Sequence, residues 1–135
     1  MTVQTRIYVP LTAAALRRLS DSGLIEPAPL TGYAVTTDLR RANPGADDEE
    51  LEYLAFTDAT SADGSPVVAA ADVDADVVTD LLDGGAPTSA VRIARPVSRR
   101  QVASSHVADP DGSGSSPDYS WYDATELDVV LAALG

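Results

Sequence analysis

Residues 66–82, PVVAAADVDADVVTDLL, hold the pattern on which the fold turns. Val67 to Val73 is an apolar run of strand length, bounded by Pro66, and Asp74 stands where a helix cap would. Val78, Leu81 and Leu82 fall four, seven and eight residues beyond Asp74, the spacing of one apolar helix stripe. A strand followed by a capped helix is therefore expected here.

The same order occurs on both sides. Thr5 to Val9 alternates, with Ile7 and Val9 on one face and Arg6 and Tyr8 on the other; Pro10 ends the run, Thr12 caps a helix, Leu16 and Leu19 line it, and Gly23 stops it. Near the end, Tyr119 to Ala124 reads as a strand, Thr125 as a cap, and Val129, Ala132 and Ala133 as the following stripe. Gly32 to Thr36, Ser89 to Ala94 and Val102 to Val107 supply further strands. Asp47 to about Ala62 reads as a fourth helix, because its DDEE start suits the positive end of the helix dipole and Leu51, Leu54 and Ala55 share a side. The pattern predicts a single-domain α/β sandwich over residues 1–135, with a mixed sheet of about five or six short strands and about four helices. Gly/Ser/Asp-rich residues 109–118 are expected to form a flexible loop.

Composition narrows the chemistry. Hydrophobic residues make up 44% of the chain but aromatics only 5%, so Ala, Val and Leu must build most of the core. The net charge of −12 opposes binding to nucleic acid or to an anionic membrane. The pairs Arg17/Arg18, Arg40/Arg41 and Arg99/Arg100 read as solvated faces or helix ends. A decoy for a nucleic-acid-binding protein would need a continuous carboxylate stripe, and the acidic residues are instead spread among turns and helix starts. All nine cations are arginine, which removes a P-loop lysine and Schiff-base chemistry. Cysteine is absent, so thiol chemistry is too. His106 is the one histidine and reads as a partly exposed strand residue sharing a face with Val102 and Ser104. No run reaches the roughly 18 apolar residues of a membrane helix, and the N-terminus has no basic-then-apolar leader. The expected location is cytoplasmic.

Two stretches spell a site. An apolar strand ending in Asp72-x-Asp74 resembles the nucleophile motif of the haloacid-dehalogenase phosphatases, which would make Asp72 the nucleophile and Asp74 the acid/base. That family also uses a downstream basic residue, typically lysine, and this chain has none. From Asp109, the stretch DPDGSGSSPDYS starts like a calcium loop, with Asp109 and Asp111 as metal-ligand candidates. Its ninth position is Pro117 and its twelfth is Ser120, where a bidentate glutamate belongs. The stretch reads as a connection.

RIYVPLTAAALRRL, GYAVTTDLRR, DDEELEYLAFTDA, VVAAADV and WYDATEL together resemble a family of small actinobacterial proteins to which no activity is assigned. The resemblance covers most of the chain and implies no catalytic set. The function expected is a non-enzymatic binding or self-association module for a protein partner or a second copy, with no cofactor. Its contacts would be Tyr8, Tyr122 and an unpaired sheet edge, with Trp121 filling the core. The alternative is a small carboxylate enzyme, with or without a divalent ion, using Asp72, Asp74 and Asp76 beside Asp123 and Glu126.

Overall fold

A computed structural model describes residues 3–25, 30–61, 67–81, 86–108 and 119–134. The strands are β1 (Gln4–Leu11), β2 (Leu24–Ile25), β3 (Leu30–Ala34), β4 (Val67–Asp74), β5 (Val78–Asp80), β6 (Ala90–Ile93), β7 (Val97–Ser98), β8 (Val102–Ala108) and β9 (Tyr119–Asp123). The helices are α1 (Ala13–Ser22), α2 (Thr37–Ala42), α3 (Asp48–Thr60) and α4 (Leu127–Leu134). Seven strands form one sheet in the order β5-β6-β3-β1-β4-β8-β9, and β2 pairs with β7 beside it.

The starts of α1, α2 and α3 follow from their caps. Thr12, Thr36 and Asp47 accept the N–H of Ala15, Leu39 and Glu50, which satisfies donors that the first helical turn leaves open. Gly23 ends α1 in the left-handed region at φ 78°, and its N–H reaches the Leu19 carbonyl.

Strand alternation divides the core into two. Ile7, Val9 and Leu11 point to the face covered by Leu16 and Leu19 of α1 and by Leu127 and Val130 of α4. Tyr8, Val68, Ala70 and Tyr33 point to the opposite face, under Leu39 of α2 and Leu51, Ala55 and Ala59 of α3. Helices on both faces of a sheet give the expected α/β sandwich.

Its sheet differs from the expectation in strand number and in direction. Every described pairing is antiparallel. The reason lies in β1: β3 and β4 run the same way and are joined through α2 and α3, but β1 sits between them and opposes both. The helical crossover thus joins parallel strands that are not neighbours.

Three local expectations fail. The helix expected after Asp74 is a single 3-10 turn, Ala75–Val77, followed by β5. Val77, Val78 and Thr79 are β-branched and favour extended backbone. Val78 and Thr79 pair with Ile93 and Arg92, and Val77 and Val78 pack on the core. Leu82 lies outside the described residues. The strand expected to reach Thr36 ends at Ala34, because Thr36 caps α2; Asp38 in the first turn and Arg40 and Arg41 in the last complement its dipole. In α4, Leu127 and Val130 are buried while Val129 and Ala132 face solvent. A 3-10 turn at Ala124–Glu126 delays the helix and rotates its stripe. Of the other arginine pairs, Arg17/Arg18 lie exposed on α1 and Arg99/Arg100 in an exposed turn. Among the described residues, no helix is long and apolar enough to cross a membrane.

Candidate functional site

On the α3 face the sheet and the helix leave a cleft of about 250 Å³, lined by Arg6, Tyr8, Glu52, Tyr53, Phe56, Ala70, Ser104, His106 and Trp121. Its lining follows from two periodicities. Even-numbered positions of β1 and β4 point towards α3, as do Ser104 and His106 of β8 and Trp121 of β9, which is paired with His106. Glu52, Tyr53 and Phe56 lie on one flank of α3, outside its buried strip of Leu51, Ala55 and Ala59. The single Phe, single His and single Trp of the chain thus meet two tyrosines in one place.

A bulge sets the β8 wall. The register slips between Ala70, which pairs with Ser104, and Ala71, which pairs with Val102. Val102 joins the core on the opposite face, so it does not share a face with Ser104 and His106 as plain alternation predicts.

Phe56 stands edge-on to Tyr8, with ring centroids 5.8 Å apart, and lies 4.8 Å from the His106 ring. Ser104 Oγ and His106 Nε2 share a 3.2 Å hydrogen bond. The Arg6 guanidinium donates twice to Asp72, from Nε at 2.6 Å and from Nη2 at 3.0 Å. Both side chains keep some two-fifths of their surface in water, at 37% and 40%, so this forked pair contributes at most about 1 kcal/mol. Its chief effect is to fix two of the five guanidinium donors.

The cleft shifts three groups. Burial raises the Tyr8 phenol above its ordinary value, and the Glu52 carboxylate adds to this. The hydrogen bond to Asp72 raises Arg6. Burial, then the positive charge of Arg6, lowers His106, so its ring is neutral at pH 7. In the unfolded chain the ring titrates at about 6.5, above its folded value. The unfolded state therefore takes up this proton first, and the stability contribution is complete above about pH 6.5 and lost as pH falls. His106→Gln should flatten this slope: between about pH 7.5 and about pH 5.5 the urea midpoint of the wild type should fall further than that of the variant. Equal falls in both would refute the assignment.

The residues singled out by sequence are dispersed. Tyr8 is a buried part of the cleft, whereas Tyr122 packs against the core on the opposite face, so the two do not form one patch. Trp121, expected in the core, is 61% exposed: it sits on the edge strand, while α3 packs over β1, β3 and β4. Asp72 is held by Arg6. Asp74 lines a separate crevice of about 80 Å³ with Arg95 and Gln101, and Asp76 is exposed in the turn after β4. Asp123 and Glu126 close the 3-10 turn before α4, where the Glu126 carboxylate accepts the Asp123 N–H and the Thr125 hydroxyl donates to Asp123. Asp72 and Asp123 lie on strands separated by β8, not on opposite edges. Asp109 and Asp111 lie outside the described residues. Among the described residues no group of three or more His, Asp or Glu is placed to hold a metal ion.

Sequence reasoning did not assemble Arg6, Glu52, Tyr53, Phe56 and Ser104 into a site. The usable signal was the flank of α3, where an acidic and two aromatic residues sit beside the apolar strip.

A second, broader hollow of about 470 Å³ adjoins along α3, lined by Asn43, Ala46, Glu49, Glu50, Tyr53 and Leu54. Tyr53, 68% exposed, contributes to both walls.

Residues 5–131 match a family of unknown function, DUF6912, and the chain belongs to it. No curated protein and no solved structure matches the chain.

Proposed function

We propose that this DUF6912 domain is a non-enzymatic binding module whose contact surface is the cleft between α3 and the sheet, continued along the edge strand β9. One observation carries the reading: Trp121 keeps 61% of its surface in water at the rim of a cleft lined by Tyr8, Tyr53 and Phe56. Tryptophan and tyrosine dominate the energetics of protein contacts, because they bury large rigid surfaces and carry a polar handle. The backbone of β9 adds a second means of contact: it is an edge strand of the seven-stranded sheet, and an incoming extended segment would pair along it.

The Ser104–His106 pair gives less support to nucleophilic chemistry. Ser104 lines the cleft but is only 5% exposed, and Phe56 packs against the His106 ring, so little of the hydroxyl is open to a substrate carbonyl.

Quantitative capture from an extract of the source cells tests the reading. The immobilised wild type should retain at least one protein that Trp121→Ala recovers about tenfold less well, with circular dichroism of the two unchanged. Identical recoveries, together with a monomer in sedimentation at high concentration, would overturn it.

A further inference from the structure

Resting on the binding-module reading and extending it, we infer that the cleft receives an arginine side chain of a basic partner polypeptide, held against Trp121, Tyr53 and Phe56 with Glu52 as its carboxylate. The aromatic part of the argument is electrostatic. Indole, phenol and phenyl faces carry negative charge and attract cations, tryptophan most strongly. Tyr53 and Trp121 are the most exposed aromatic members of the lining, so their faces are open to an incoming group.

Charge selects the sign of the ligand. Glu52 lines the cleft, Asp72 is bonded to Arg6 of the lining, and Glu49 and Glu50 line the adjoining hollow. Among the described residues Arg6 is the one cation in either lining, and two of its donors already serve Asp72. At physiological salt, charges are screened beyond about 8 Å, so these near carboxylates govern the site more than the total of −12. An anion would meet a committed guanidinium and several carboxylates.

The occupant follows from the same facts. A second copy of this chain is a poor source of that arginine, because its 21 carboxylates outnumber its nine arginines, whereas a basic polypeptide offers cations without competing acids. The hollow beside the cleft, sharing Tyr53 and adding Glu49 and Glu50, extends the acidic surface past one side chain, which suits neighbouring cations on the same polypeptide. Arginine fits better than lysine because its guanidinium plane stacks on aromatic faces while its fork meets a carboxylate.

Acetylated, amidated hexaarginine is the probe, titrated into isotopically labelled protein near physiological salt. Trp121 is the one tryptophan, so its indole N–H gives a unique signal at the cleft. That signal should move with a saturable dependence, and hexalysine should bind more weakly. Trp121→Ala should weaken hexaarginine binding about tenfold, and Glu52→Gln about threefold. Asp128→Asn removes one charge from exposed α4 on the opposite face and should change affinity less than about twofold. Equal effects of Glu52→Gln and Asp128→Asn, or full affinity in Trp121→Ala, would mean diffuse attraction and would overturn the inference. An unmoved indole would overturn it as well. The outcomes separate the two readings: if the wild type captures a partner that Trp121→Ala loses while hexaarginine leaves the indole unmoved, the arginine assignment alone fails.

Discussion

Ile7→Ala is expected to lower the free energy of unfolding by about 3 to 4 kcal/mol. Ile7 is fully buried on β1, the middle strand of the sheet, facing the core shared with α1 and α4. Its cross-strand partners are Ala34 and Ala71, so the isoleucine fills space that neither neighbour reaches. Truncation removes the transfer free energy of three carbons and leaves a cavity that the close-packed surroundings fill only in part. A domain of this kind has roughly 5 to 15 kcal/mol in total, so the loss is a large fraction. Urea unfolding should show a lower midpoint at an unchanged slope, because the unfolded chain exposes nearly the same surface. A loss under about 1 kcal/mol would show that this face is loosely packed. The effect also bears on the site, since Arg6 and Tyr8 flank Ile7 and reach the cleft on the other face.

The local code was legible wherever burial and capping agreed. TRIYV, with Thr12 and Gly23 beyond it, specifies β1 and α1, and DDEELEYLAF specifies α3 with its buried Leu51 and Ala55. It failed where two patterns share one spelling. Asp74-x-x-x-Val78 spells a cap and a helix stripe, but Val77, Val78 and Thr79 are also good strand residues, and pairing with β6 decided the outcome. Val35 and Thr36 read as the tail of a strand, but Thr36 caps α2.

Strand order was not legible, because it depends on which antiparallel neighbour each strand finds, a long-range choice that local periodicity does not encode. The cleft was hidden for the same reason. Its parts come from β1, α3, β4, β8 and β9, and only the sheet order brings Arg6 and Trp121 to one place. Alternation correctly sent Trp121 and Tyr122 to opposite faces. Which of them would be buried depended on β9 being an edge strand beyond the main cover of α3, with the opposite face backed by α4.

Ala55→Leu is expected to destabilise the domain by about 2 to 3 kcal/mol, although leucine is larger, more apolar and nearly as good a helix former. The inner strip of α3 is Leu51, Ala55 and Ala59, and the sheet beneath includes Ala70 and Ala90. Ala55 and Ala59 are fully buried, so small residues on both sides set how closely the helix lies. A leucine at position 55 must either leave its preferred rotamer or lift the helix, and in both cases good contacts elsewhere are lost. Lifting α3 would carry Glu52, Tyr53 and Phe56 away from Arg6 and His106, so hexaarginine affinity should fall together with stability. Tyr53→Leu, on the exposed flank of the same helix, should change stability by less than about 0.5 kcal/mol while weakening the probe, because it removes an aromatic face without disturbing the strip. The two variants thus separate the helix as a support from the helix as a contact surface. Should Ala55→Leu prove neutral or stabilising in urea unfolding, the interface between α3 and the sheet has slack, and the cleft is not held at a fixed width by its alanines.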